Sequence, residues 1–204
     1  HHARMLAERE IQTLETQLLD TKMQELRNYV TQARNGFYFI YGGAAPDDET
    51  AKIKVAQILA AMIYGEDGSF FVYDYDGTNL VSPRRTDLIG RNWQDLTDSE
   101  GTPIVGPLIE IARQGSGYHS YLWPKPSTGE EARMVSFVMG FQDWQWAVGT
   151  GVFIDDVLAT VAASRAEVEA RLSFRLLKDL DVDDVGVAAS ARISDLAMTA
   201  PGDG

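Results

Sequence analysis

Apolar residues at the start of the chain recur in steps of three and four: Ile11, Leu14, Leu18, Leu19, Met23, Leu26, Val30, Ala33 and Phe37. No glycine or proline interrupts them before Gly36, so the pattern predicts an unusually long amphipathic helix from Met5 to Phe37. Gly42-Gly-Ala-Ala-Pro46 breaks it, and Asp47 or Asp48 is expected to cap a second helix running to Tyr64. After Gly65-Glu-Asp-Gly68 the period falls to two. Ser69–Tyr75 reads as a strand, Asp76-Gly77 as a hairpin turn, and Thr78–Ser82 as the returning strand, stopped by Pro83. A connection containing Asp87-Leu-Ile-Gly-Arg91-Asn-Trp93 leads to a helix over Pro103–Gln114, ended by Gly115. Three β-type runs rich in Tyr, Trp, Val and Phe fill Gly115–Asp156. Asp155-Asp156 opens a last helix to Asp179, with Val157, Val161, Val168, Leu172 and Leu176 on one side. Beyond Asp181 the residues turn small and acidic, and no regular structure is expected past Met198.

This order predicts an α+β fold: a PAS-like five-stranded antiparallel sheet with helices on one face, a long N-terminal helix, and a helical connection between the second and third strands. The expected divisions are 1–67 for the two N-terminal helices, 68–156 for the sheet-based core, 157–180 for the C-terminal helix and 181–204 for a flexible tail.

Composition narrows the chemistry. A formal net charge of −12 argues against nucleic acid or an anionic membrane surface as partner. An anion-binding protein of this charge needs a local basic cluster, for which Arg84, Arg85, Arg91, Lys125 and Arg133 are candidates. The absence of cysteine removes disulfides, zinc–thiolate sites and thiol nucleophiles. His1 and His2 set aside, His119 stands alone, so neither a metal site nor any cofactor is expected. No apolar run is long enough to span a bilayer. Ser136, His119 and Asp143 do not make a persuasive triad, because no strained nucleophile turn surrounds Ser136. Asp74 and Asp76 are explained by the turn they flank, so no enzymatic activity is expected.

Several strings carry a family resemblance. Glu66-Asp-Gly-Ser-Phe-Phe-Val-Tyr-Asp-Tyr-Asp-Gly-Thr78, Leu88-Ile-Gly-Arg-Asn92, Tyr121-Leu-Trp-Pro-Lys-Pro126 and Trp146-Ala-Val-Gly-Thr-Gly-Val-Phe-Ile-Asp-Asp156 stand in this order. Together they resemble the single-Cache type 2 (sCache_2) domains, which implies the Cache fold and an extracytoplasmic ligand sensor of a bacterial chemoreceptor or sensor histidine kinase. The resemblance implies a small organic acid of the acetate, propionate or pyruvate class as ligand. It also implies a homodimer formed through the terminal helices, in a periplasmic portion of an inner-membrane protein. The transmembrane segments and cytoplasmic transmitter would then lie outside this chain. Past Arg171 the sequence continues Leu-Ser-Phe-Arg-Leu-Leu-Lys-Asp-Leu rather than turning hydrophobic, which departs from that plan.

Candidate ligand contacts follow from strand alternation. His119, Tyr121, Trp123 and Lys125 fall on one face of the third strand, where aromatics would exclude water around one ammonium. The plainer alternative is that the aromatics pack the sheet and Lys125 is solvated. Arg91 is placed to take a carboxylate in bidentate fashion, or else to pair with Asp87 or Asp95. Tyr73, Ser82 and Ser136 offer hydroxyls, with Ser82 standing where relatives often have His before Pro. Ser136 also reads as a simple strand former, and Arg84 and Arg85 as a solvated pair. A ligand-independent dimerisation module and a soluble carboxylate-binding protein are the competing functions.

Overall fold

The computed structural model describes the backbone of residues 1–198 and the side chains of residues 1–180. Its elements are α1 (His2–Gly43), α2 (Glu49–Ala61), β1 (Ile63–Tyr64), β2 (Gly68–Asp74), β3 (Asn79–Val81), α3 (Val105–Arg113), β4 (Ser116–Pro124), β5 (Glu131–Phe141), β6 (Trp146–Phe153) and α4 (Asp155–Met198). The chain divides into two units: residues 15–158, which contain the sheet, and residues 1–14 with 159–204.

α1 runs beyond its expected end because packing outweighs the cost of Gly36, roughly 1 kcal/mol in a helix. Leu26, Val30, Ala33 and Phe37 are all buried, and Ile40 and Tyr41 pack on the same cluster. α2 is capped by Asp48, whose carboxylate accepts from the Ala51 amide at 3.0 Å. It stops short of Tyr64 because Ile63 and Tyr64 are recruited into β1, opposite Ser69 and Gly68. The Tyr64 ring stacks on Tyr29 at 4.3 Å, and its hydroxyl lies 2.6 Å from that of Thr150. These contacts draw the segment out of helix.

The sheet is antiparallel, ordered β1-β2-β6-β5-β4, with β3 also on β2. The expected hairpin is β2–β3, closed by the Gly77 amide on the Asp74 carbonyl at 2.9 Å. The last strand, β6, lies between β2 and β5, so both halves of the chain meet along it.

Helices cover both faces, where the sequence pattern suggested one. Phe70, Val72, Phe137, Trp146 and Val148 face α1 and α2. The alternate residues, including Tyr73, Tyr121, Met134, Val138 and Ala147, face Ile104 and the α3 residues Val105, Leu108 and Ile109. A continuous apolar run such as Phe70-Phe-Val-Tyr73 is what a strand buried on both sides requires. In the other unit, Arg4 pairs with Glu169 at 2.8 Å and Arg165 with Glu8 at 2.6 Å. α4 continues past the expected Asp179 to Met198, so the first part of the expected tail is helical. Residues 199–204 lie outside the described residues.

Two neighbours on α1 separate burial from exposure. Phe37 is 1% exposed and meets the Phe141 ring at 5.1 Å, whereas Phe39 is 94% exposed. Phe37→Ala is expected to cost about 3–5 kcal/mol in urea unfolding, and Phe39→Ala less than about 0.5 kcal/mol. Alkali gives a second test. Burial raises the phenols of Tyr64 and Tyr73 to about 12, so each stays neutral in the fold after its unfolded counterpart ionises near 10. Their stabilising contribution is therefore complete below pH 10 and lost as pH rises towards 12. Urea midpoints measured across that window should fall steeply for the parent and less steeply for Tyr64→Phe or Tyr73→Phe.

Candidate functional site

On the α3 face a cavity of about 60 Å³ lies between the strands and the segment from Ser82 to Leu108. A single water needs ~10–15 Å³, so the space suits about four to six non-hydrogen atoms. Its apolar wall is made by Phe71, Ile104, Leu108, Trp123 and Met134.

The floor depends on glycine in β6. A Cβ at Gly151 would sit 2.5 Å from Ser136 Oγ and 2.7 Å from Met134 Sδ. At Gly149 it would lie 2.6 Å from both the Phe71 ring and the Phe137 carbonyl. Side chains from β2 and β5 thus lean over a strand with none of its own here, and the recess remains among them.

The polar groups around the cavity are mainly donors. Tyr121 is 3% exposed and its hydroxyl lies 2.7 Å from that of the fully enclosed Ser136. Two hydroxyls sharing one bond leave one hydrogen without a partner among the described residues. Ser82 Oγ accepts from Asn79 Nδ2 at 2.9 Å. That same nitrogen faces the Val81 carbonyl, which only accepts, so Ser82 keeps its own hydrogen to donate. Burial raises the Tyr121 phenol and pushes that of Tyr73 to about 12, and the Ser136 and Asn79 hydrogen bonds offset this only in part. Both are neutral hydroxyls at ordinary pH.

Two guanidinium groups complete the lining. Arg84 donates from Nε to the Gly68 carbonyl at 3.2 Å and from Nη2 to that of Gly65 at 3.4 Å. Arg85 forms a bidentate pair with Asp87 at 2.9 and 3.0 Å, and stands 5.3 Å from the centre of the Trp123 ring. The carboxylate of Asp67, also at the cavity, accepts from the Ser127 amide at 2.7 Å and its hydroxyl at 3.0 Å. The arrangement therefore offers hydrogen-bond hydrogens and positive charge to an acceptor-only group.

Of the residues expected from the sequence, Tyr73, Ser82, Tyr121 and Trp123 come together on this cavity. Ser136 lies behind it, bonded to Tyr121. His119 shares the face, but its Nε2 is 2.7 Å from the Pro103 carbonyl, at the approach to α3. Neither expected cation lines the cavity. Residues 89–93 run along β3, where Asn79 donates to the Arg91 carbonyl at 3.0 Å and the Arg91 side chain is exposed. Lys125 lies beyond the end of β4, so strand alternation no longer governs it, and its ammonium meets Asp155 at 2.5 Å. Arg84 and Arg85, read from sequence as solvated, are the arginines that line it. The signal for them was slight: Pro83 ends a strand, so whatever follows must turn at the sheet's end.

Comparison with known proteins gives the family. The family model Single Cache domain 2 matches residues 18–167. The chain is 46% identical over 182 residues to the sensor histidine kinase MctS of Rhizobium johnstonii, covering 88% of this chain and 40% of that protein. It is 27% identical over 175 residues to the methyl-accepting chemotaxis protein McpP of Pseudomonas putida, covering 84% and 30% respectively. It thus spans well under half the length of either relative. A crystal structure of a methyl-accepting chemotaxis protein from Vibrio parahaemolyticus superposes with a TM-score of 0.68 at 30% identity, covering 72% of this chain and 99% of that one. Cache domains of chemoreceptors and histidine kinases are extracytoplasmic sensor modules, and this chain belongs to the Single Cache domain 2 family.

Proposed function

We propose that the domain senses a small organic acid of two to four carbons, of the acetate, propionate or pyruvate class. The observation that carries this reading is the small cavity where two guanidiniums and several hydroxyl donors surround room for a few heavy atoms. Arg84 and Arg85 hold the carboxylate, Ser82 and the Tyr121–Ser136 pair supply further donors, and Met134, Phe71 and Leu108 receive the hydrocarbon end. Trp123, stacked beneath Arg85, keeps water from that charge and so strengthens the contact. The acid biases signalling only through unequal affinity for two arrangements of the domain. The whole protein is a membrane-anchored receptor, and the 46% identity to a sensor histidine kinase favours a kinase output.

A thermal-shift series with acetate, propionate and pyruvate, alongside acetamide and propionamide, tests this. The acids should raise the melting temperature and the amides should not. Arg84→Ala and Arg85→Ala should each weaken acid binding by about tenfold or more, the scale of a lost charged hydrogen bond. Arg91→Ala should leave it unchanged. Equal stabilisation of the parent, Arg84→Ala and Arg85→Ala by one acid would sink the assignment.

We further propose a homodimer through the terminal helices. Its support is the run of exposed Phe174, Leu176, Leu177 and Leu180 on α4. Sedimentation should give a dimer mass for the parent and a monomer mass for Leu177→Glu/Leu180→Glu. An unchanged mass would exclude this surface.

A further inference from the structure

We infer that Lys125 and Asp155 form a latch joining the lip of the cavity to the first turn of α4, so that occupancy of the cavity is felt there. The inference rests on the ligand reading above. The turn between β4 and β5 is closed on Lys125: its amide donates to the Glu130 carbonyl at 2.8 Å, and its carbonyl accepts from Gly129 at 2.7 Å. Lys125 therefore moves with the turn. Pro126, the next residue, lines the cavity, and Ser127 binds both oxygens of Asp67, which also lines it.

Lys125 itself does not line the cavity. Its ammonium passes 5.5 Å from the centre of the Phe153 ring and meets Asp155, the first residue of α4, at 2.5 Å. Next to it, Asp156 accepts from Lys22 of α1 at 3.0 Å. The junction of β6 and α4 is thus gripped by two lysines, one from α1 and one from the cavity lip. Phe153 lies opposite Met134, a residue of the cavity wall, so lip, wall and junction form one contiguous set. An anion drawing Arg84 and its neighbours Gly65–Gly68 inward displaces Asp67, and with it the turn carrying Lys125.

Linkage makes the latch measurable. If occupancy alters the pair, breaking the pair must alter affinity by the same factor, although neither residue touches the cavity. Calorimetric titration of propionate into the parent, Lys125→Met, Asp155→Asn and the double variant reads this directly. Each single change should shift Kd about two- to fivefold in the same direction, the range of a partly exposed ion pair. The double change should go no further than the larger single one. Propionate should also slow hydrogen exchange of the Val157 and Leu158 amides in the parent but not in Lys125→Met. If the parent binds propionate and the variants match its Kd, or their effects simply add, the latch is overturned while the acid reading stands. A parent that binds neither propionate nor acetate overturns the acid reading itself.

Discussion

The cavity depends on a strand that contributes no side chain where it passes beneath. Protein interiors pack as densely as organic crystals, and an unfilled space forfeits dispersion contacts on every wall. Here the space is enforced from below: Gly149 and Gly151 let Phe71, Ser136 and Met134 close over β6 instead of standing beside a β6 side chain. β6 is also where β2 and β5 meet, so it cannot shift to relieve the gap without disturbing pairing on both edges. The recess is a property of the sheet itself.

Charge around that recess runs against the molecule as a whole. The chain carries a net −12, yet the cavity gathers two guanidiniums and an Asp67 whose oxygens are already engaged. Arg85 shares its charge with Asp87, but Arg84 is fixed by main-chain carbonyls, which orient it without neutralising it. A cation tethered in this way loses little side-chain freedom when an anion arrives.

Much of the fold was legible because period and punctuation are local signals. The hairpin at Asp76-Gly77, the three long strands and the helix before Gly115 follow from alternation and turn chemistry alone. Tyr121, Trp123 and Tyr73 could be placed on one face because alternation holds along an intact strand. The residues whose placement differs from expectation lie where it stops. Lys125 is past the end of β4, Arg91 lies in a loop laid along β3, and Arg84 and Arg85 follow a strand-ending proline. The orientation of such residues is set by distant partners such as the carbonyls of Gly65 and Gly68, which no periodicity reports. β1 was missed for a related reason: two residues are too few to show a period, and the ring of Tyr29 holds them in place.

The dimensions of the recess also limit how long any guest can stay. At a ceiling of about −1.5 kcal/mol per heavy atom for very small ligands, a guest of about four to six atoms gains at most about −6 to −9 kcal/mol. That corresponds to dissociation constants between about forty micromolar and a few tenths of a micromolar at the very best. On the proposed ligand reading, residence at such affinities is brief, so a domain built around about 60 Å³ would track concentration as it fluctuates rather than store a memory of past exposure.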